Sequence, residues 1–154
     1  MEKRLLVDEY LDYHRELVAK GIGEKNVVLL QNGMFYELYN YRCPDGPDLF
    51  VMADLLNIQL ARRNKEITEI TRNNCEIVGF PMHSQQKFIN ILLQNNYTIA
   101  IYVQQDVGKG KTNRVLDQII SPSTSLDYCY SYDANYLMSI YLEPHKNQKD
   151  DFYI

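Results

Sequence analysis

The sequence predicts an α/β protein of the α+β kind, a mixed β-sheet flanked by helices. Three observations predict it. Apolar side chains recur at helical spacing over residues 3–19. A continuous apolar run at residues 27–30 leads into the aromatic stretch Phe35-Tyr36-Glu37-Leu38-Tyr39, and a second run rich in β-formers spans residues 97–103. Helical and extended segments alternate irregularly between them, as in a sheet with helices packed on it. The 154 residues suffice for one domain with a real core and are too few for two large ones.

Each element has its own local reason. In residues 3–19, Leu6, Tyr10, Tyr13 and Leu17 form the apolar stripe, with Glu9, Asp12, Arg15 and Glu16 between them. His14 is expected at the surface, and Gly21 and Gly23 end the helix. Residues 27–31 suit a central strand. The Phe35 stretch is expected to pair beside it. Cys43-Pro44-Asp45-Gly46-Pro47 is a turn by composition. Residues 49–56 form a short helix with Asp48 as its cap. A strand is expected at 58–61 and another at 76–80, ended by Pro81. Ser84 is expected to cap the next helix, whose stripe is Phe88, Ile91, Leu92 and Leu93, with Asn95 and Asn96 at its end. Residues 97–103 predict a buried strand, and 115–120 one more, closed by Ser121-Pro122-Ser123.

The chemistry concentrates in Gln31-Asn32-Gly33-Met34-Phe35-Tyr36-Glu37-Leu38-Tyr39. Gly33 permits backbone angles that a side chain resists. If the residues after it are extended, Phe35, Glu37 and Tyr39 share one face, and Tyr36 and Leu38 the other. Phe35 and Glu37 then lie about 7 Å apart, two strand rises. An aromatic ring and a carboxylate so placed suit one flat polar object such as a nucleobase. The plainer alternative is an ordinary strand with Phe35 in the core and Glu37 in water.

Composition narrows the function classes. Net charge is −4 and the pI is about 5.3, unlike a free-standing, high-affinity nucleic-acid binder. It leaves room for a module whose grip on DNA comes from elsewhere. The start, Met1-Glu2-Lys3-Arg4, leads into an amphipathic segment, so no secretory signal is expected, and no run approaches the roughly 18 apolar residues of a membrane span. Cys43, Cys75 and Cys129 are odd in number and lack CxxC spacing, which predicts reduced intracellular thiols. His14, His83 and His145 are scattered, so no metal site is expected. Asp45 and Asp48 are weak candidates for the acidic cluster that a nuclease needs. Gly110-Lys111-Thr112 invites a phosphate-loop reading, but the first glycine of that motif falls on Gln105, and extended structure is expected after it. Lys109, Lys111 and Arg114 among glycines suit contact with a DNA backbone better. The basic run Arg62-Arg63-Asn64-Lys65 reads, on its residues alone, as a solvated charged face.

The segment Gly33-Met34-Phe35-Tyr36-Glu37-Leu38-Tyr39 resembles the Gly-x-Phe-Tyr-Glu-Leu-Phe/Tyr motif of the MutS mismatch-repair proteins, in their N-terminal mismatch-recognition domain. Further segments are similar in the same order. Asp54-Leu55-Leu56-Asn57-Ile58-Gln59-Leu60 looks like Leu-Leu-x-Ile-x-Leu before a basic turn. Gly79-Phe80-Pro81-Met82-His83-Ser84 looks like Gly-Ile-Pro-Tyr-His-Ala. Ile99-Ala100-Ile101-Tyr102-Val103-Gln104-Gln105 looks like Val-Ala-Ile-Cys-Glu-Gln. The run from Arg114 to Thr124 keeps Ile120, Pro122 and Thr124 at the anchor positions of Arg-x-Val-x-x-Ile-x-Thr-Pro-Gly-Thr. The likeness covers residues 8–127. Met34 departs from the family's frequent Asp or Lys, and Met82 from an aromatic. Residues 133–142 resemble the opening strand of the family's connector domain. The expectation is therefore a recognition domain at 1–127 and the start of a connector at 128–154, with the remaining domains outside the chain.

The resemblance implies a function. Phe35 enters the minor groove and stacks on a mispaired base, helped by Gly33 and Met34, while Glu37 bonds an edge of that base. An ionised carboxylate only accepts hydrogen bonds, so bonding a ring-nitrogen acceptor requires a protonated Glu37. Arg62, Arg63, Lys109, Lys111 and Arg114 are the candidates for phosphate contacts. The implied partners are mismatched double-stranded DNA and either the remaining MutS domains or a second MutS-like subunit, with no membrane. No catalytic residue, metal or cofactor is expected in this chain, since ATP and Mg belong to the family's ATPase domain. The implied location is intracellular and DNA-associated. A protein-interaction module that keeps the fold without DNA recognition is the alternative.

Overall fold

The computed structural model describes residues 4–108, 112–124, 138–141, 143–144 and 152–153. Helix α1 spans Leu6–Ala19, β1 Lys25–Asn32 and β2 Phe35–Asn40. Helix α2 spans Leu49–Leu56, β3 Ala61–Arg62 and β4 Glu76–Pro81. A 3-10 turn at Met82–Ser84 leads into α3 at Gln85–Gln94, followed by β5 at Tyr97–Asp106 and β6 at Thr112–Ile120. A separate pair, β7 at Glu143–Pro144 and β8 at Phe152–Tyr153, is antiparallel.

Six strands form one mixed sheet in the order β3-β4-β2-β1-β5-β6. The pair β1–β5 is parallel and every other pair in it is antiparallel. Val27, Val28, Leu29 and Leu30 have no exposed surface, because β1 is central and covered on both faces. Helix α1 covers one face. Its Tyr10 hydroxyl donates to the Val28 carbonyl at 3.1 Å, and its ring meets Tyr39 edge-on at 5.8 Å. Tyr13 stacks on Tyr102 of β5 at 3.9 Å. Helices α2 and α3 cover the opposite face, where Phe80 stacks on Phe88 at 4.3 Å and Tyr36 lies beside Phe80.

Most element positions follow the sequence expectations, and four details are corrected. His14 is buried, not on the surface: its ring lies 3.0 Å from the Asp45 carbonyl and 3.3 Å from the Asn26 carbonyl, so it joins α1 to the 43–47 turn and to β1. The strand expected at 58–61 shrinks to Ala61–Arg62. Asn57 adopts a left-handed cap (φ 51°), and the Ile58 amide is spent on the Ala53 carbonyl, which leaves only the last residues to pair with β4. Ser84 makes no side-chain cap, because the 3-10 turn supplies the start of α3. In α3, Ile89 takes the buried place expected for Ile91, which is half-buried, since the helix rotates Phe88, Ile89, Leu92 and Leu93 to the sheet. Asp48 does cap α2, accepting from the Phe50 and Val51 amides at 2.9 and 3.2 Å.

Of the segment expected to open a second domain, 133–137 and 142 lie outside the described residues, as does Cys129. Residues 138–141 carry no regular secondary structure. Cys75 is buried and Cys43 half-buried, both free thiols, and burial pushes the Cys75 thiol up. Among the described residues no helix is long and apolar enough to cross a membrane.

Candidate nucleic-acid interface

The site is built on the hairpin between β1 and β2. Asn32 pairs with Phe35, so the loop is two residues long, Gly33 and Met34. Gly33 has φ +60°, at the first loop position, where glycine suits a two-residue hairpin. Nothing lies within 4 Å of where a Cβ would stand there, so backbone conformation and not packing demands the glycine. Two glutamines fix the turn. The Gln104 side-chain oxygen accepts from the Gly33 amide at 2.8 Å, and the Gln31 side-chain oxygen accepts from the Gln104 amide at 2.8 Å. Gln31 also donates to the Gly33 carbonyl at 3.2 Å, and the Met82 amide donates to the Met34 carbonyl at 2.9 Å.

This hydrogen-bonded tip presents Phe35, which is 46% exposed, beside Met34, which is 75% exposed. Alternation puts Glu37 and Tyr39 on the same face as Phe35. Tyr36 and Leu38 point the other way into the core. The difference between Phe35 and Tyr39, which is 4% exposed, is reach: α1 covers the Tyr39 end of the face and leaves the Phe35 end open. Glu37 is half-buried. Its Oε2 accepts from the Asn32 side-chain amide at 2.8 Å and from the Tyr39 hydroxyl. Burial, and next the Glu37 carboxylate, push the Tyr39 phenol far above its ordinary range, so it remains a donor.

The candidate phosphate contacts do not converge. Arg114 lies near the tip but is engaged internally. Its Nε donates to the Gln31 carbonyl at 3.0 Å, its guanidinium pairs with Glu9 at 3.2 Å, and its side chain is 11% exposed. It ties β6 to β1 and to the start of α1. Arg62 and Arg63 lie at the other end of the sheet. Arg62 pairs with Glu76, which in turn pairs with Asn40, five residues and about 17 Å along β2 from Phe35. Arg62 also donates to the Thr68 carbonyl at 3.0 Å. Lys109 and Lys111 lie outside the described residues, but the strand ends that flank them, Asp106 and Thr112, extend from the same end of the sheet as Phe35. Thr112 begins a strand, which gives a phosphate loop no helix to lead into.

The acidic residues weighed for nuclease chemistry have structural work. Asp48 caps α2, and Asp45 accepts from Arg15 at 3.3 Å. A hollow of about 560 Å³ lined by Arg42, Asp48, Phe50 and Glu76 lies at the Asn40 end, away from Phe35. Four residues to which sequence reading gave no role in the candidate site support it: Asn32 and Tyr39 on Glu37, and Gln31 and Gln104 on the turn. The shared face of 35, 37 and 39 signalled the second. Asn32 and Gln104 required the hairpin register and the β1–β5 pairing.

Comparison with known proteins identifies the family to which this fold belongs. The family model "MutS domain I" matches residues 13–128. A DNA mismatch repair protein mutS homolog of Acanthamoeba polyphaga mimivirus is 30% identical over 145 residues, 94% of this chain and 13% of the relative. The DNA mismatch repair protein MutS of Streptococcus sanguinis is 32% identical over 111 residues, 70% of this chain and 12% of its own length. That of Lactococcus lactis subsp. cremoris is 30% identical over 116 residues, 73% and 13%. The chain thus spans about an eighth of the length of these relatives. With a mixed sheet flanked by helices, the glycine hairpin at its open end and a family match over three quarters of its length, the chain belongs to the MutS mismatch-repair family and carries its domain I.

Proposed function

We propose that this chain is the mismatched-DNA-binding module of a MutS-type repair protein. Phe35 enters from the minor groove as a wedge, and Glu37 bonds the edge of the displaced base. The observation that carries this reading is Phe35 itself, an aromatic ring left half-exposed at the tip of a turn held by two glutamines. An apolar wedge partly unstacks a base step and kinks the duplex. A mispaired step is already weakened, so it yields at lower cost, and discrimination arises from deformability.

The charge pattern supports a grip that comes mainly from elsewhere. The chain has net charge −4, Arg114 is spent on Glu9 and Gln31, and Arg62 and Arg63 stand at the far end of the sheet. Lys109 and Lys111 remain as backbone contacts from this chain. The larger share of phosphate contacts comes from the remaining MutS domains or from a second MutS-like subunit, with residues 128–154 opening the connector. In this reading the chain binds and does not catalyse, ATP and Mg serve another domain, and the protein works inside the cell on DNA.

The test is fluorescence anisotropy at low salt with mismatched and matched duplexes. The expected result is a preference for the mismatch that Phe35→Ala removes. A preference that survives Phe35→Ala overturns the wedge. One observation favours the alternative of an interaction module without DNA recognition, namely the internal engagement of Arg114, and that alternative predicts equal binding of both duplexes.

A further inference from the structure

We infer that Asn32 and Tyr39 are positioning residues that commit one oxygen of Glu37 and leave the other, Oε1, as the single atom that reads the base. This rests on the assignment of Glu37 to base contact above. Both donors converge on the same atom: Asn32 Nδ2 reaches Oε2 at 2.8 Å, and the Tyr39 hydroxyl donates to Oε2 as well. No described residue donates to Oε1.

The mount is stiff. The Tyr39 ring is 4% exposed and held edge-on by Tyr10, whose own hydroxyl is fixed on the Val28 carbonyl. Its phenol is kept protonated by burial and by Glu37, so it has a proton to donate. Asn32 stands across the hairpin, directly opposite Phe35 in register. The third part is Gly79, which faces Glu37 on β4. A Cβ there would stand 3.0 Å from Glu37 Cγ and 3.2 Å from the Tyr36 carbonyl oxygen, so the glycine clears the strip along which the Glu37 stem lies.

A carboxylate with two free oxygens has four acceptor sites and many ways to meet a base edge. Here Oε2 already serves two donors. If the carboxyl takes a proton, that proton sits on Oε1, the oxygen without two donors. Oε1 is thus the atom that accepts from a ring N–H, or donates to a ring nitrogen when protonated. The arrangement removes rotational freedom before binding, which is where preorganisation gains affinity. It also restricts Glu37 to one hydrogen bond to the base, so recognition follows that one edge position.

The test uses the full chain and two mispaired duplexes, one with a displaced thymine and one with difluorotoluene, a thymine-shaped base that lacks strong hydrogen-bonding groups. Phe35 stacks on both, and Glu37 bonds only the first. Tyr39→Phe is expected to lower the preference for the thymine duplex about two- to tenfold, the range of one hydrogen bond, and to leave the difluorotoluene duplex unchanged. In a double-mutant cycle, Tyr39→Phe is expected to add nothing once Glu37→Ala is present. An equal fall on both duplexes, or additive effects in the cycle, makes Tyr39 merely structural and overturns the inference. If Glu37→Ala alone changes neither duplex, the base contact itself is overturned, a separate failure. Asn32→Ala, at an exposed position, repeats the test should Tyr39→Phe fold poorly.

Discussion

Replacing Phe35 with alanine separates a surface ring from a core ring by magnitude. Phe35 is 46% exposed, so about half of the roughly 200 Å² of an aromatic side chain is covered. At about 25 cal/mol per Å², its loss costs at most roughly 2.5 kcal/mol, an upper bound because unfolded chains also bury surface. Phe80, which is 1% exposed and stacked on Phe88, is the internal reference. Phe80→Ala is expected to cost about 3–5 kcal/mol, a large share of a small domain's stability. For a chain of this size each kcal/mol lowers Tm by about 2–4 °C. Calorimetry should therefore show a drop of under about 10 °C for Phe35→Ala and a larger one for Phe80→Ala. In binding, loss of a base stack worth about 1–3 kcal/mol should cost roughly five- to 150-fold on the mismatched duplex and far less on the matched one. A Phe35→Ala variant that melts as low as Phe80→Ala refutes the exposed wedge. One that stays folded and keeps its mismatch preference refutes the stacking.

Three further outcomes follow from the geometry. Gly33→Ala should cost about 1–2 kcal/mol in denaturant unfolding, from left-handed backbone alone, since an added Cβ meets no atom within 4 Å; a neutral substitution refutes that cause. Arg114→Ala should lower Tm while leaving the salt slope of DNA binding unchanged, whereas Lys109→Ala with Lys111→Ala should reduce the slope by roughly 2; the reverse pattern places Arg114 on the DNA. Burial holds the His14 imidazole below its ordinary value of 6.5, against the opposing pull of the Asn26 and Asp45 carbonyls. The unfolded chain then binds more protons than the folded one just below pH 6.5, so this stability is full above 6.5 and is lost as pH falls toward the folded value. Melting between about pH 7.5 and about pH 5 should show that loss in the native chain and not in His14→Phe, and a Tm that rises on acidification refutes it. The Asp8 carboxylate, held below its ordinary 3.8 chiefly by its hydrogen bonds to Arg72 at 2.7 Å, adds a separate loss at lower pH.

Short-range physics made much of this protein legible in its sequence. The apolar run 27–30, the Asp48 cap and the glycine turns follow from local propensity, and the structure has them where they were expected. The alternation in Phe-Tyr-Glu-Leu-Tyr put Phe35, Glu37 and Tyr39 on one face, because a strand has a period of two. Alternation cannot say where along that face the cover stops. Only the docking of α1 over Tyr39, short of Phe35, made one aromatic core and the other surface. The basic residues show the same limit. Arg62, Arg63 and Arg114 are equally charged in the sequence, yet strand register sends two of them to the far end of the sheet and gives the third to Glu9. His14 looked polar and exposed until the 43–47 turn closed over it. Residues distant in sequence become partners only when the sheet is assembled, so the two bonds of Gln104, one to the Gly33 amide and one to the Gln31 side chain, were decided by tertiary structure alone.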